Sequence, residues 1–329
     1  MASTPKTFLT MLDMVTDSGP AFAVPQSLGA AEAKHVERVR NVFEDPNIIG
    51  AGVAEKITEG DNAGTLSLVF YVRKKLAPAK VKTANMLPPV MAAPNGQAIF
   101  TDVVEIGKVV PQAGKPLVRR KPIQSGYSVG HFNITAGTLG AVVKRGANRY
   151  LLSNSHVLAD SGLGKKGDPI YYPGPFDKGV AADTIAKLSA FKPFTPGNSF
   201  TNTVDAALAE VLAARLKDVN YAIYGAKTPL KTAVPQRGMK IMVMGRTSGK
   251  QKSVVRDVDF RILTDYDGVG QVGFTGQVRC DTYSAGGDSG SIIVDADTGA
   301  IVGLHFAGSE QGSIFTPIKT VMAALKFSF

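Results

Sequence analysis

The chain has 329 residues, of which 44% are hydrophobic and 19% charged, and these proportions exclude a largely disordered protein. No apolar run approaches the roughly 20 residues that a membrane-spanning helix needs, and the single cysteine excludes an internal disulfide or a multi-cysteine metal site. The net charge is +10, but the basic residues are scattered rather than clustered, so nucleic-acid binding is not favoured.

The first 110 residues predict an arm followed by a small α+β unit. Residues 1–25 show no clear periodicity and predict a flexible arm. An apolar face at helical spacing predicts a helix over 27–44. Alternating apolar residues and turn signals predict three strands and a second helix: 48–57, 66–72 and 100–110 for the strands, 79–84 for the helix. The α-β-β-α-β order suggests a ferredoxin-like unit over 26–110, with a docking or inhibitory role.

The composition of the sequence and its pattern of apolar residues change after this unit. Residues 111–125 combine Pro, Gly and charge without an apolar period, which predicts a linker. Residues 126–329 contain many short β-like runs between Gly, Pro, Asn and Asp, which indicates a sandwich or barrels. We expect residues 115–329 to fold without the N-terminal unit. The single cysteine and the lack of a secretory leader at the start of the sequence favour a cytoplasmic location.

The strongest chemical signal is the hexapeptide Gly-Gly-Asp-Ser-Gly-Ser at 286–291. A serine between glycines can occupy a tight turn whose backbone N–H groups point at one place. Attack by a hydroxyl and stabilisation of the resulting oxyanion both need that arrangement. On the hexapeptide alone, a Gly-rich turn between strands explains the pattern equally well.

An upstream histidine and aspartate favour the catalytic interpretation. His156 follows a strand-like run within Ser-Asn-Ser-His-Val-Leu-Ala, and imidazole is the usual base for a serine hydroxyl. Asp205 is the one acid at the head of an apolar run, where a buried carboxylate needs a partner such as an imidazole N–H. Asp160 and Asp183 are rival acids in more polar sequence. The alternative is a structural histidine and a turn-capping aspartate.

His156, Asp205 and Ser289 occur in the order found in trypsin/chymotrypsin-like serine peptidases, and residues 125–329 resemble that family. The disulfide-free bacterial members and the plant narrow-leaf-type members are the most similar. The resemblance implies a mostly β fold of two six-stranded antiparallel barrels, with the site between them. It implies a triad of those three residues, an oxyanion hole from the N–H groups of Gly287 and Ser289, and no cofactor or metal.

Two departures from the trypsin pattern concern activation and specificity. In trypsin-like enzymes, a new amino terminus made by cleavage pairs with the aspartate before the nucleophile. We find no such terminus after Arg120. We therefore expect local donors to hold the charge of Asp288, or the site to be disordered until something binds. Tyr283 stands where trypsin-like enzymes carry an aspartate, so a preference for Lys or Arg is not supported.

The remaining pocket residues resemble those of glutamyl endopeptidases. Ser284 and His305 are the two polar groups, and they predict cleavage after Glu or Gln. We expect the Glu preference to strengthen at lower pH as His305 becomes protonated. The other predicted wall residues are Phe306, Ala307 and Gly308. A packed, purely structural His305 and an apolar pocket are the alternative.

Two functions from different classes fit the sequence. The first is a serine endopeptidase acting on a protein or peptide, with a regulatory or assembly partner at the N-terminal unit. The second is a non-catalytic interaction module on a protease scaffold, because motifs do not guarantee turnover. An α/β-hydrolase is disfavoured because Ser289 precedes a predicted β-hairpin rather than a helix.

Overall fold

The structure is a computed structural model that describes residues 4–16, 30–58, 61–109 and 121–329. The α-helices of this part are α1 (Lys6–Thr16), α2 (Ala30–Asn41), α3 (Ser155–Leu158) and α4 (Ile318–Leu325). The strands are β1 (Ile48–Thr58), β2 (Asp61–Val72), β3 (Val90–Ala92), β4 (Ala98–Glu105), β5 (Ser128–His131), β6 (Gly137–Thr138), β7 (Ala141–Arg145), β8 (Asn148–Ser153), β9 (Pro169–Tyr171), β10 (Thr184–Phe191), β11 (Gly197–Asn202), β12 (Ala207–Val211), β13 (Lys240–Gly245), β14 (Gly249–Tyr266), β15 (Gly270–Cys280), β16 (Ile292–Asp295), β17 (Ile301–Ser309) and β18 (Gly312–Pro317).

The strands after residue 126 are divided between two sheets. A seven-stranded sheet has the order β6-β5-β9-β10-β12-β8-β7. An eleven-stranded sheet has the order β11-β15-β18-β17-β16-β13-β14-β1-β2-β4-β3 and so includes the N-terminal strands. The prediction of a mostly β chain is confirmed. The two six-stranded barrels stay a prediction, because the larger sheet extends beyond the strands that such a barrel would contain.

Strand β1 joins the N-terminal unit to the second sheet. It pairs antiparallel with β14 at Gly50–Ile262 and Ala51–Arg261, and with β2 on its other side. A strand buried on both faces appears in sequence as a continuous apolar run, and Leu68–Val72 of β2 is such a run.

Alternate residues of β2 enter two different hydrophobic cores. Leu68 and Phe70 pack towards helices α1 and α2. Val69 and Tyr71 pack on the other side, in a core that also contains Phe260 of β14. The N-terminal unit and the C-terminal strands therefore share one core, although a sequence boundary near residue 110 separates them.

Several expectations for the N-terminal unit need correction. Residues 6–16 of the expected flexible arm form helix α1, whose buried side chains include Met11, Leu12 and Val15; the remainder of the arm lies largely outside the described residues. Two short 3-10 turns, 78–80 and 83–85, stand in place of a helix near 79–84. With β3 as an additional strand, the order of elements differs from the β-α-β-β-α-β order of a ferredoxin-like unit.

In the part of the chain that the structure describes, no helix is both long and apolar enough to cross a membrane. Residues 111–120 of the predicted linker lie outside the described residues. Residue Ile123, just beyond them, is fully buried and bridges to Val219.

Candidate active site

Strand pairing brings His156 and Asp205 together. Helix α3 starts at Ser155, immediately after β8, and Asp205 lies just before β12. These strands pair antiparallel with Ala207 opposite Ser153, so the residues beyond their paired ends are neighbours. The distance from His156 Nδ1 to Asp205 Oδ2 is 2.5 Å.

The Asp205 carboxylate is completely buried and accepts hydrogen bonds at both oxygens. Backbone N–H groups of Ser155 and His156 donate to Oδ1 at 2.6 and 3.2 Å. His156 Nδ1–H and the Tyr266 hydroxyl donate to Oδ2, the latter at 2.8 Å. Four donors therefore compensate the desolvation of this charge and fix the imidazole with Nε2 free to face a substrate. The rival Asp183 instead accepts from Val180 N.

Ser289 lies in the turn before β16, and Thr138 of the other sheet holds this turn. Thr138 N donates to Ser289 O at 2.8 Å, and Thr138 Oγ1 donates to Gly287 O at 2.7 Å. The Ser289 hydroxyl donates to the Phe306 carbonyl at 3.2 Å; between the described atoms of Ser289 and His156 there is no hydrogen bond. Both side chains line one cleft of about 530 Å³.

Two backbone N–H groups of the nucleophile turn, those of Asp288 and Gly290, donate within the protein. Asp288 N donates to Ala285 O at 3.1 Å, and Gly290 N donates to His305 O at 2.8 Å. No described protein atom accepts a hydrogen bond from Gly287 N or Ser289 N. These two amides are therefore available to an oxyanion.

The charge of Asp288 is held by local donors, which was one of the two alternatives left open by the sequence. Oδ1 accepts from the N–H groups of Thr247 and Ser248 at 2.8 and 3.1 Å. Oδ2 accepts from Ala285 N at 2.9 Å. Three backbone donors can stabilise a buried carboxylate without a new amino terminus.

A buried ion pair lies directly beneath the nucleophile turn. Arg246 contacts Asp177 through Nε and Nη2 at 2.7 and 2.5 Å, and both side chains are almost fully buried. Arg246 Nη1 fills the space that a Cβ on Gly287 would need, and Gly287 has a φ of +92°. Glycine is therefore required at this position by both backbone conformation and space.

We expect Gly290→Ala to destabilise the turn strongly. Gly290 has a φ of +98°, and an added Cβ would collide with Ser153 Oγ and Thr138 O. The backbone cost alone is about 1–3 kcal/mol, and the collision adds to it. Gly146→Ala is the matched control, because its φ is +60° and nothing lies within 4 Å of the added Cβ. Urea unfolding of both variants measures the difference, and equal losses would contradict the crowded turn.

The predicted specificity residues form a separate buried group. The Tyr283 hydroxyl lies 3.0 Å from His305 Nδ1, and the two side chains are only 5% and 2% exposed. Ser284 Oγ lies 2.8 Å from Ser313 Oγ. Phe306, Ala307 and Gly308 follow along β17 and are buried too. Of the predicted residues, the described cleft wall contains His156 and Ser289 only.

Sequence reasoning missed two contributions to the site from residues that lie far from the predicted motifs along the chain. Tyr266, which donates to Asp205, lies at the end of β14, 61 residues away along the chain. Lys108 of the N-terminal unit lines the same cleft as His156, together with Asp265. No local pattern announces either contribution, because only the sheet topology brings them there.

A histidine outside the predicted triad is held by polar contacts. His131 is buried, its Nε2 lies 3.0 Å from Asp168 Oδ2, and its Nδ1 accepts from Asn133 N. The described residues contain no group of three or more His, Cys, Asp or Glu side chains arranged to hold a metal ion.

One curated protein and several solved protease structures are similar to this chain. Protein NARROW LEAF 1 of Oryza sativa subsp. japonica is 24% identical over 307 residues, 79% of this chain and 51% of that protein. The chain thus spans about half the length of this curated relative.

Two solved protease structures also match part of this chain. A glutamic acid specific serine protease that utilizes a histidine triad in substrate binding is 16% identical, with 63% of this chain and 99% of that chain covered and a TM-score of 0.45. Thermobifida fusca Protease A is 17% identical, with 63% and 97% covered and a TM-score of 0.43. At these levels the similarity carries no information about substrate.

The family model for a trypsin-like peptidase domain matches residues 137–304, which contain all three motifs predicted to be catalytic. The resemblance found in the sequence is thereby confirmed. Because the match extends over about half of the chain, the chain belongs to the trypsin-like peptidase family.

Proposed function

We propose that this protein is a serine endopeptidase that hydrolyses peptide bonds through an acyl-enzyme. The main support for this proposal is the hydrogen-bonded His156–Asp205 pair, because His156 lines the same cleft as Ser289. A histidine oriented by a carboxylate next to a serine in a glycine turn is the constellation that acyl transfer requires.

Each residue has a role in the two half-reactions. Ser289 Oγ attacks the scissile carbonyl while its proton passes to His156 Nε2, and His156 then gives this proton to the leaving amine. Water then attacks the acyl carbon while His156 Nε2 takes its proton, and His156 returns this proton to Ser289 Oγ as the acyl–oxygen bond breaks and the acid product leaves. Asp205 remains a carboxylate and stabilises the imidazolium, and the N–H groups of Gly287 and Ser289 stabilise the oxyanion.

The Ser289 hydroxyl must turn from the Phe306 carbonyl towards His156 before attack. Rotation of a serine side chain about χ1 to another staggered position redirects its hydroxyl. Hydrogen bonds of catalytic groups are often long or misdirected without substrate and tighten in its presence. The bond to Phe306 is therefore compatible with the proposed role.

Digestion of a peptide library tests the proposal and the cleavage preference together. The intact protein should cut peptides, and Ser289→Ala should not. Equal product from both proteins would mean a contaminating peptidase or another nucleophile. Absence of cutting by both would favour the non-catalytic interaction module.

We also propose a preference for Glu or Gln before the scissile bond. Its support is chemical: Tyr283, Ser284 and His305 are hydroxyl and imidazole side chains, held in a buried group by the contacts Tyr283–His305 and Ser284–Ser313. Hydroxyl donors can bind a carboxylate or a side-chain amide oxygen. His305→Ala should weaken this preference by about 1–3 kcal/mol, the cost of leaving a buried polar partner unpaired. Cleavage mainly after Arg, Lys or large aromatic residues would contradict it.

The expected pH dependence of this preference moves to a lower range than the sequence suggests. Burial lowers the pKa of His305 to about 4, so the imidazole is neutral at pH 7. A substrate Glu has an ordinary pKa of about 4.3. We therefore expect the ratio of Glu to Gln cleavage to be constant from about pH 6 to 8 and to rise only near pH 4–5. A change of this ratio centred near pH 6.5 would mean an accessible imidazole.

We propose a cytoplasmic location for this activity. The single cysteine, Cys280, is free and buried, which suits a compartment without structural disulfides. A regulatory or assembly partner of the N-terminal unit stays a prediction.

A further inference from the structure

Tyr266 contacts the catalytic aspartate directly from the opposite sheet. Its hydroxyl lies 2.8 Å from Asp205 Oδ2, the oxygen that also accepts from His156 Nδ1. Burial, and then the charge of Asp205, raise the pKa of Tyr266 well above its usual value. The hydroxyl therefore stays protonated and donates to the carboxylate throughout the neutral range.

The ring of Tyr266 is held on several sides. Its centroid lies 4.8 Å from that of Phe194, 6.1 Å from that of Phe274 and 5.8 Å from that of His156. With so many neighbours, the hydroxyl has little freedom to leave Asp205. A donor held in this way fixes the position of the carboxylate oxygen as well as its charge.

Ion pairs connect the N-terminal unit to the end of β14, the strand that carries Tyr266. The preceding residue, Asp265, lies 3.5 Å from Arg73 Nη2 and 3.9 Å from Lys108 Nζ. Tyr266 itself belongs to the core that contains Ile49 and Tyr71 of the N-terminal strands. The position of Tyr266 thus depends on residues from both parts of the chain.

We propose that Tyr266 is a positioning residue of the triad. Its hydrogen bond orients Asp205 Oδ2 towards His156 and weakens the attraction of this carboxylate for the imidazole proton. The inference rests on the proposed function, since it concerns the same three residues. No proton leaves Tyr266 during the reaction: the Ser289 proton moves to His156 Nε2, while Nδ1–H and the tyrosine O–H both remain donors to Asp205.

Tyr266→Phe removes none of the other charged groups around the His156–Asp205 pair. They approach from the segment after α3, the end of β14, the N-terminal unit and β17: Asp160, Asp265, Asp267, Lys108 and His305. A shift seen on removing the Tyr266 hydroxyl alone therefore reports its bond to Asp205.

The test is Tyr266→Phe, measured as kcat and KM against pH. A carboxylate with one donor fewer attracts the proton on His156 more strongly, so the acidic limb of kcat/KM should move to higher pH by roughly half a unit. Less exact positioning of the Asp205 carboxylate should lower kcat by about 10-fold with KM little changed, since charge-assisted hydrogen bonds are among the stronger ones.

Tyr71→Phe is the matched control. It also removes a buried Tyr–Asp hydrogen bond, of 3.0 Å to Asp257, but one without contact to His156. Because Tyr71→Phe keeps the ring that packs in the core shared with Tyr266, we expect it to lower stability and to leave the pH profile and kcat unchanged. Equal kinetic effects in the two variants, or an unshifted acidic limb in Tyr266→Phe, would overturn the positioning role.

A readout without turnover separates this inference from the proposed function. In Ser289→Ala protein, the NMR titration of His156 should move to higher pH when Tyr266→Phe is added. If it does not move while the wild-type protein hydrolyses peptides, the positioning role fails and the peptidase stands. If it moves while the wild-type protein is inert, the geometry is right and the peptidase proposal fails.

Discussion

Replacing Ser289 with alanine should lower kcat by about 10³–10⁶-fold, because the members of a triad act as one unit. The variant loses the hydroxyl of Ser289, the serine of the nucleophile turn that lines the cleft shared with His156. Its fold should survive, since the hydroxyl makes one hydrogen bond, to the Phe306 carbonyl. Steady-state kinetics on a peptide from the library, together with thermal unfolding, check both expectations.

His156→Ala should cost a similar factor, and the double variant little more than either. This non-additivity is the signature of two groups that perform one proton transfer. Ser291→Ala is a suitable control in the same turn, because its hydroxyl donates to the Asp288 carbonyl and faces away from the cleft. Losses that multiply between Ser289 and His156 would show that they do not act together.

Residues 121–329, produced without the N-terminal unit, should fail to fold cooperatively. Removal of β1 exposes the edge of β14, and removal of Ile49, Val69 and Tyr71 opens the core around Phe260. At about 1.5–3 kcal/mol for each large apolar side chain, this loss is comparable with the whole stability of a typical domain, about 5–15 kcal/mol. These contacts lead us to predict the opposite of the independent folding expected from the sequence. Urea unfolding and solubility of the fragment provide the measurement.

The matched control is the full chain cleaved once at a protease site inserted between residues 111 and 120. Its two parts should remain associated through the β1–β14 pairing and the shared core, and unfold as one unit. A soluble fragment 121–329 with a sharp unfolding transition would mean that the C-terminal sheet needs no partner.

The predicted catalytic residues lie in short motifs whose chemistry is local. The sequence of the nucleophile turn demands glycine at Gly287 and Gly290, and the structure shows why. An acid heading an apolar strand next to a strand ending in histidine also predicts a pair, and the β8–β12 register places Asp205 beside His156. Such patterns are readable in one sequence because two-residue periodicity and turn chemistry are local.

Long-range pairing is not readable in this way. The apolar run of β2 predicts burial on both faces, but not that one face packs against Phe260. Tyr266 shows no local sign that it donates to Asp205. Helix α1 was missed although its apolar residues form one face, because it is short and isolated in sequence. The buried link between Tyr283 and His305 likewise depends on the turn that precedes Ser289.

Labelling with a fluorophosphonate probe, followed by mass spectrometry of the labelled peptide, tests the central claim most directly. Such a probe reacts only with a serine whose proton is removed by a neighbouring base and whose oxyanion is stabilised. The protein should be labelled at Ser289, and labelling should fall sharply in His156→Ala and in Asp205→Asn. No labelling of the folded wild-type protein, or labelling that persists without His156, would contradict a Ser289–His156–Asp205 peptidase.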